Sequence, residues 1–161
     1  MNMKHNTRRD RRRFMPALPH TASLAAFALL LFAGCAPKPV APKNVELDVA
    51  SNGDFLEFTP DTLTCPAGAH VRLTFHHGGK ILSARHDWVL TRADQLDSLT
   101  KDALDTDGKL APNDPRIIAR TQLADKGETV TTDFVAPPPG DYPFLCSTHP
   151  EDMRGILHVT K

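Results

Sequence analysis

From Asn44 onward, apolar and polar residues mostly alternate. In HVRLTFHH (residues 70–77), Val71, Leu73 and Phe75 fall on one side and Arg72, Thr74 and His76 on the other. Successive side chains of an extended strand point to opposite faces, so such a segment is wet on one face and needs an apolar layer against the other. The pattern returns in VELDV, DFLEF, TLTC, HDWVLT, ETVTTDFV (Val130, Thr132 and Phe134 pointing one way), DYPFLC and GILHVTK. Turn formers separate the segments, among them Thr-Pro-Asp after DFLEF and APPPG before DYPFLC. Seven or eight short strands of this kind predict an all-β sandwich or barrel. The exception lies between Thr91 and Pro115. There RADQLDSLTKDAL places Leu96, Leu99 and Ala103 at helical spacing, which predicts a short helical flap inserted between strands. No internal repeat or low-complexity tract occurs in this part.

The first 43 residues read differently. A basic stretch, RRDRRRFM, precedes the apolar run Ala22–Ala33. That run is about a dozen residues, short of the ~20 that a spanning helix needs and right for a signal-peptide core. LFAGC follows, and the small pair Ala33-Gly34 before Cys35 resembles a bacterial lipobox, with Phe32 where Leu is more usual. On that reading residues 1–34 are a lipoprotein signal peptide and Cys35 is lipidated; the alternative is an ordinary signal peptide with an incidental cysteine. Arg11-Arg12-Arg13-Phe14-Met15 is similar to a twin-arginine export motif, although a plain basic segment serves as well. Residues 35–43 carry Pro37, Pro39 and Pro42, which favours an extended tether to a folded head at 44–161. The expected location is the bacterial periplasm or cell envelope, attached to a membrane through Cys35.

Charge follows the same division. The formal net charge is zero, but residues 1–35 hold six of the nineteen Lys and Arg and one acid, Asp10. The remainder has thirteen basic and eighteen acidic residues, a net charge of −5. The basic run therefore carries no argument for nucleic-acid binding by the head, and the acidic remainder argues against such a partner.

CSTHPEDM (146–153) places Cys146, His149 and Met153 on eight residues between two strand patterns. Thiolate and imidazole together select copper or zinc, and one thiolate, two imidazoles and a weak thioether make the trigonal-plus-axial blue-copper set. The second imidazole must come from another strand. His86, in ARHDWVL, is the preferred candidate, with His76 and His77 as competitors. Singly, a cysteine is usually a small buried hydrophobe, a histidine a surface residue and a methionine core. Spaced Cys-x2-His-x3-Met on one loop, they point to a metal.

Here the residues carry a family resemblance. HDWVL resembles the azurin HNWVL segment that bears the first histidine ligand. DPRIIARTQL followed by GETVTTDF resembles the azurin stretch after its helical flap, and CSTHPEDMRGILHVTK the terminal ligand loop and strand. The head is thus similar to an azurin-type cupredoxin of the plastocyanin/azurin family over nearly all of 44–161. The resemblance implies a Greek-key β-sandwich and one type 1 copper held by His86, Cys146, His149 and axial Met153. It implies a one-electron carrier and no enzyme, with His86 buried and His149 reaching the surface as the electron's exit. A cytochrome, an oxidase or a reductase would dock near His149, on a patch including Pro150, Leu56 and Leu82. Copper storage or delivery through the same site is the alternative, disfavoured because Met153 is the head's single methionine.

Several positions depart from the azurin pattern. Only Ser147 and Thr148 separate Cys146 from His149, as in plastocyanins and amicyanins, where azurins have four residues. Arg85 stands where azurins offer a glycine carbonyl as a fifth contact, so its backbone carbonyl is the corresponding group. Asp87 replaces the asparagine that braces the ligand loop; an ionised Asp accepts hydrogen bonds but cannot donate them. Cys65 lacks the disulfide partner of azurins and is expected to be buried on a strand edge before Pro66, with intermolecular pairing as the alternative. Trp88 is expected in the core, and His77 resembles a non-ligand azurin histidine. The N–H of Thr148 is expected to point at the Cys146 sulfur.

Overall fold

The computed structural model describes residues 43–80 and 84–161. Cys35, the proposed signal and tether up to residue 42, and Leu82 lie outside those residues. Among the described residues, nine strands and one α-helix run in the order β1 (Asn44–Ser51), β2 (Phe58–Thr59), β3 (Thr62–Pro66), β4 (His70–His76), β5 (Val89–Thr91), α1 (Leu96–Asp105), β6 (Ile117–Arg120), β7 (Thr129–Val135), β8 (Gly140–Leu145) and β9 (Arg154–Thr160). They form two sheets, ordered β2-β1-β4-β7 and β3-β9-β8-β5-β6. β1 with β4 and β3 with β9 are parallel pairs; the other neighbours are antiparallel. The expected all-β sandwich is what the chain forms.

Alternation explains the inner layer. Val71, Leu73 and Phe75 of β4 are buried while Arg72 and His76 are exposed. Phe58 meets Phe75 and Phe144 edge-on at 6.0 and 5.1 Å between ring centroids, and Trp88 lies 5.5 Å from Phe144 and 5.9 Å from Phe134. This aromatic cluster joins both sheets, and each such side chain contributes about 1.5–3 kcal/mol by leaving water. Trp88 is fully buried, and its indole N–H has no hydrogen-bond partner among the described residues.

The helical flap forms where helical spacing predicts it. A single 3₁₀ turn (Ala93–Gln95) leads into α1, which buries Leu99, Thr100 and Ala103. Leu99, Ala103 and Leu110 close a second apolar cluster with Val89 and Leu145. β5 is therefore covered on both sides, and all three of its residues are buried. The N–H of Gly108 bonds the Ala103 carbonyl at 2.8 Å and its φ is +75°. That left-handed residue turns the chain back across the molecule.

Two expectations need correction. DFLEF is not a strand: only Phe58–Thr59 pairs with β1, and Phe55 is 69% exposed. Asn52, followed by Gly53 at φ +61°, opens a turn in which the Asn52 N–H bonds the Glu57 carbonyl at 2.8 Å. Turn chemistry prevails there over alternation. Conversely, Ile117–Arg120 forms β6 against β5, an additional strand beyond the seven or eight expected.

Candidate metal centre

β8 and β9 form an antiparallel hairpin whose last pair is Leu145 with Arg154. Cys146 and Met153 are the next residues out on either side, so CSTHPEDM is the hairpin connection. Its shape is set by backbone bonds: Cys146 N–H to Met153 O at 3.0 Å, His149 N–H to Cys146 O at 3.2 Å, and Met153 N–H to His149 O at 3.0 Å. His86 arrives just before β5, fixed by two backbone bonds with Ala124 of 3.2 and 2.7 Å. Two separate stretches of chain are each held independently of any ion.

The donor atoms converge. Cys146 Sγ lies 3.6 Å from His86 Nδ1 and 3.8 Å from His149 Nδ1, and the three donors lie within 4.8 Å of one another. Bonds of ~2.0–2.3 Å to sulfur and imidazole nitrogen, at trigonal angles, separate such donors by roughly 3.7 Å, so the cradle fits one ion of this kind. His86, Cys146 and Met153 are buried and His149 is half-exposed. His76 and His77 are not drawn in. His76 faces outward to Thr129 Oγ1 at 2.9 Å. Buried His77 donates from Nε2 to the Ala84 carbonyl at 2.8 Å and accepts the Gly79 N–H on Nδ1 at 3.2 Å, its ring stacked 4.6 Å from that of His86.

Burial governs the protonation of the donors. It pushes the Cys146 thiol up to about 11, with the Asp87 carboxylate adding to the effect; the neighbouring Thr148 side chain and the backbone N–H groups of Asp87 and Thr148 offset part of it. The thiol therefore keeps its proton at neutral pH until an ion displaces it. Burial, then repulsion from His77 and His149, lowers His86 to about 4, and burial also lowers His149. Both imidazoles are neutral, as metal ligands must be.

Asp87 performs the brace. Its carboxylate is buried and accepts the Ser147 N–H at 2.7 Å and the Ser147 hydroxyl at 2.9 Å. Acceptance alone suffices because the loop supplies both donors. Burial raises the Asp87 pKa and the Ser147 bonds oppose that rise. The Arg85 carbonyl accepts the Thr148 hydroxyl at 2.6 Å.

Two braces were not visible in the sequence. Arg154 donates from Nε to the Pro150 carbonyl at 2.6 Å and from Nη2 to Thr100 Oγ1 of α1 at 3.2 Å. Gly108, beyond the end of α1, packs so closely that a Cβ there would lie 2.9 Å from Thr148 Cγ2. Pro150 is buried, so it is not part of an exposed patch, whereas Leu56 is half-buried. Cys65 is buried on β3, an edge strand, and has no disulfide partner among the described residues.

A two-sheet β-sandwich that gathers one thiol and two imidazoles at the tip of a hairpin is a cupredoxin. The family of copper binding proteins, plastocyanin/azurin family, matches residues 43–160, and the chain belongs to it. Auracyanin-A of Chloroflexus aurantiacus is 29% identical over 122 residues, covering 71% of this chain and 74% of that protein. An azurin of Methylobacillus flagellatus is 30% identical over 130 residues, covering 74% and 87%. The solved structure of auracyanin A, described as a "blue" copper protein, superposes with a TM-score of 0.66 at 28% identity, covering 73% of this chain and 99% of that one. Copper is thus the cofactor, and the family consists of electron-transfer proteins that pass electrons to redox partners and are not enzymes.

Proposed function

We propose that this protein is an exported, lipid-anchored electron carrier with a type 1 copper held by His86, Cys146 and His149 and weakly by axial Met153. When bound, copper supplies a one-electron couple. The chain supplies a thiolate for the short covalent bond, two neutral imidazoles, and a cradle whose backbone and Asp87 bonds are in place without the ion. Such rigidity keeps reorganisation small as the charge changes. The observation that carries the proposal is the graded burial of the donors: Cys146, His86 and Met153 are enclosed, while the His149 imidazole is half-exposed. His149 is the exit for the electron, toward a cytochrome, oxidase or reductase docked over it.

Voltammetry of the copper-loaded protein tests this reading. A reversible one-electron wave with an intense visible thiolate-to-copper band is expected. A protein that holds copper without colour or without a reversible wave would instead be a storage or delivery protein. For Met153→Leu, the colour should remain and the reduction potential should rise, because a donor that favours Cu(II) is lost. An unchanged potential would remove Met153 from the axial position.

Residues 1–34 as a lipoprotein signal, 35–43 as a tether and the cell envelope as the location complete the proposal. They rest on LFAGC and on the proline-rich segment after it. Cys35→Ser is expected to release the protein from membranes into the soluble fraction, or to leave it unprocessed. Recovery of wild-type protein wholly soluble, with its N-terminus at another residue, would exclude the anchor.

A further inference from the structure

The Thr148 hydroxyl has three polar neighbours. It lies 2.6 Å from the Arg85 carbonyl, 3.1 Å from Cys146 Sγ and 3.1 Å from His149 Nδ1. A hydroxyl has one proton to give. The carbonyl can only accept, and it is the nearest of the three, so the proton goes there. The lone pairs of Oγ1 are left facing the sulfur and the imidazole nitrogen. Those two atoms are 3.8 Å apart, and Oγ1 lies 3.1 Å from each, so an ion held by both would have this oxygen as a neighbour. Donation to the carbonyl also leaves the oxygen more electron-rich.

We infer that the Thr148 hydroxyl is an additional oxygen group facing the copper, held in place by the Arg85 carbonyl, and that it favours Cu(II) over Cu(I). The inference rests on His86, Cys146 and His149 being the copper donors. Oxygen is a harder donor than thiolate or thioether, and soft donors select Cu(I). The hydroxyl therefore lowers the potential, while the N–H groups of Thr148 and Asp87 near the sulfur raise it. It also takes up the carbonyl that the azurin pattern offers as a fifth contact. Replacing Thr148 by proline removes the N–H and the hydroxyl together, two changes of opposite sign, so it separates nothing.

Thr148→Val and Thr148→Ser do separate them, since both keep the N–H and only serine keeps the oxygen. In the copper-loaded proteins, Thr148→Val is expected to raise the potential by at least a tenfold change in Cu(II)/Cu(I) preference, ~59 mV for one electron. Its Cu(II) paramagnetic resonance spectrum should change, and its Zn(II) affinity, measured against a chelator, should fall several-fold. Thr148→Ser should remain at the wild-type values in all three. A valine variant indistinguishable from wild type overturns the inference. So does a serine variant that shifts as far as valine, because the cause would then be packing. If wild-type protein shows no thiolate-to-copper band, the donor assignment fails first and the inference with it.

Discussion

Cys146→Ser is expected to yield a folded protein with no intense visible band when Cu(II) is added. The sulfur is the charge-transfer donor, and a serine oxygen cannot replace it. Affinity for Cu(I) should fall by more than the ~100-fold that changes outside a ligand set typically cost. Folding should survive, because the N–H groups of Asp87 and Thr148 that approach the sulfur can serve a hydroxyl instead. Absorption spectra of copper-titrated wild type, Cys146→Ser and Cys65→Ser make the comparison. Cys65 is the other described thiol and lies in the core, packed with Leu63 and Val159. A band that persists in Cys146→Ser and vanishes in Cys65→Ser would overturn the site.

Gly155→Ala should be the most damaging conservative change outside the donors. A Cβ at Gly155 would lie 2.2 Å from Phe144 Cζ and 2.3 Å from the Asp61 carbonyl. Neither neighbour can give way easily. Phe144 is fully buried between Phe58 and Trp88, and the Asp61 carbonyl accepts the Ile156 N–H at 2.8 Å. Overpacking typically costs 1–3 kcal/mol. With backbone in the way, ~3 kcal/mol or more is expected, a fall in Tm of roughly 10 °C. Thermal melts of the metal-free protein measure this directly, and an unchanged Tm would mean that β9 shifts freely past β3 and β8.

Much of this was legible in the sequence, for identifiable physical reasons. β4 alternates because one face meets the core and the other meets water, so Val71, Leu73 and Phe75 declare themselves. The flap announces its helix through Leu99 and Ala103, which share a face. β6 did not show itself: it is four residues long, follows Asp114, Pro115 and Arg116, and pairs with β5 across the inserted flap. The candidate donors on CSTHPEDM could be named because three soft or borderline ligands on one loop are rare together, and the fold brings Cys146 and His149 to His86. His86 was preferred to His76 and His77 because it opens a strand that carries an aromatic core residue, Trp88, and the HDWVL resemblance pointed to the same residue. The Thr148 hydroxyl was not readable, since its role requires the Arg85 carbonyl, 63 positions away, to arrive beside it. The sequence drew attention to the backbone N–H of that residue and passed over its side chain. Arg154 is in sequence one charge beside the loop, while in the fold it clamps the Pro150 carbonyl to Thr100.

The parallel pairing of β3 with β9 bears on when the site comes into being. Cys65 pairs with Val159, ninety-four positions later, and His86 meets Cys146 across sixty. Contacts so distant along the chain close large loops before any gain is returned, and they form late and slowly. The sulfur, the second imidazole and the thioether all belong to the hairpin that β9 completes. Of the four proposed donors, an ion met by the growing chain would find only His86. Copper is therefore expected to enter as a passenger on a finished scaffold, not as a seed for folding, with loading a separate event that has its own timing.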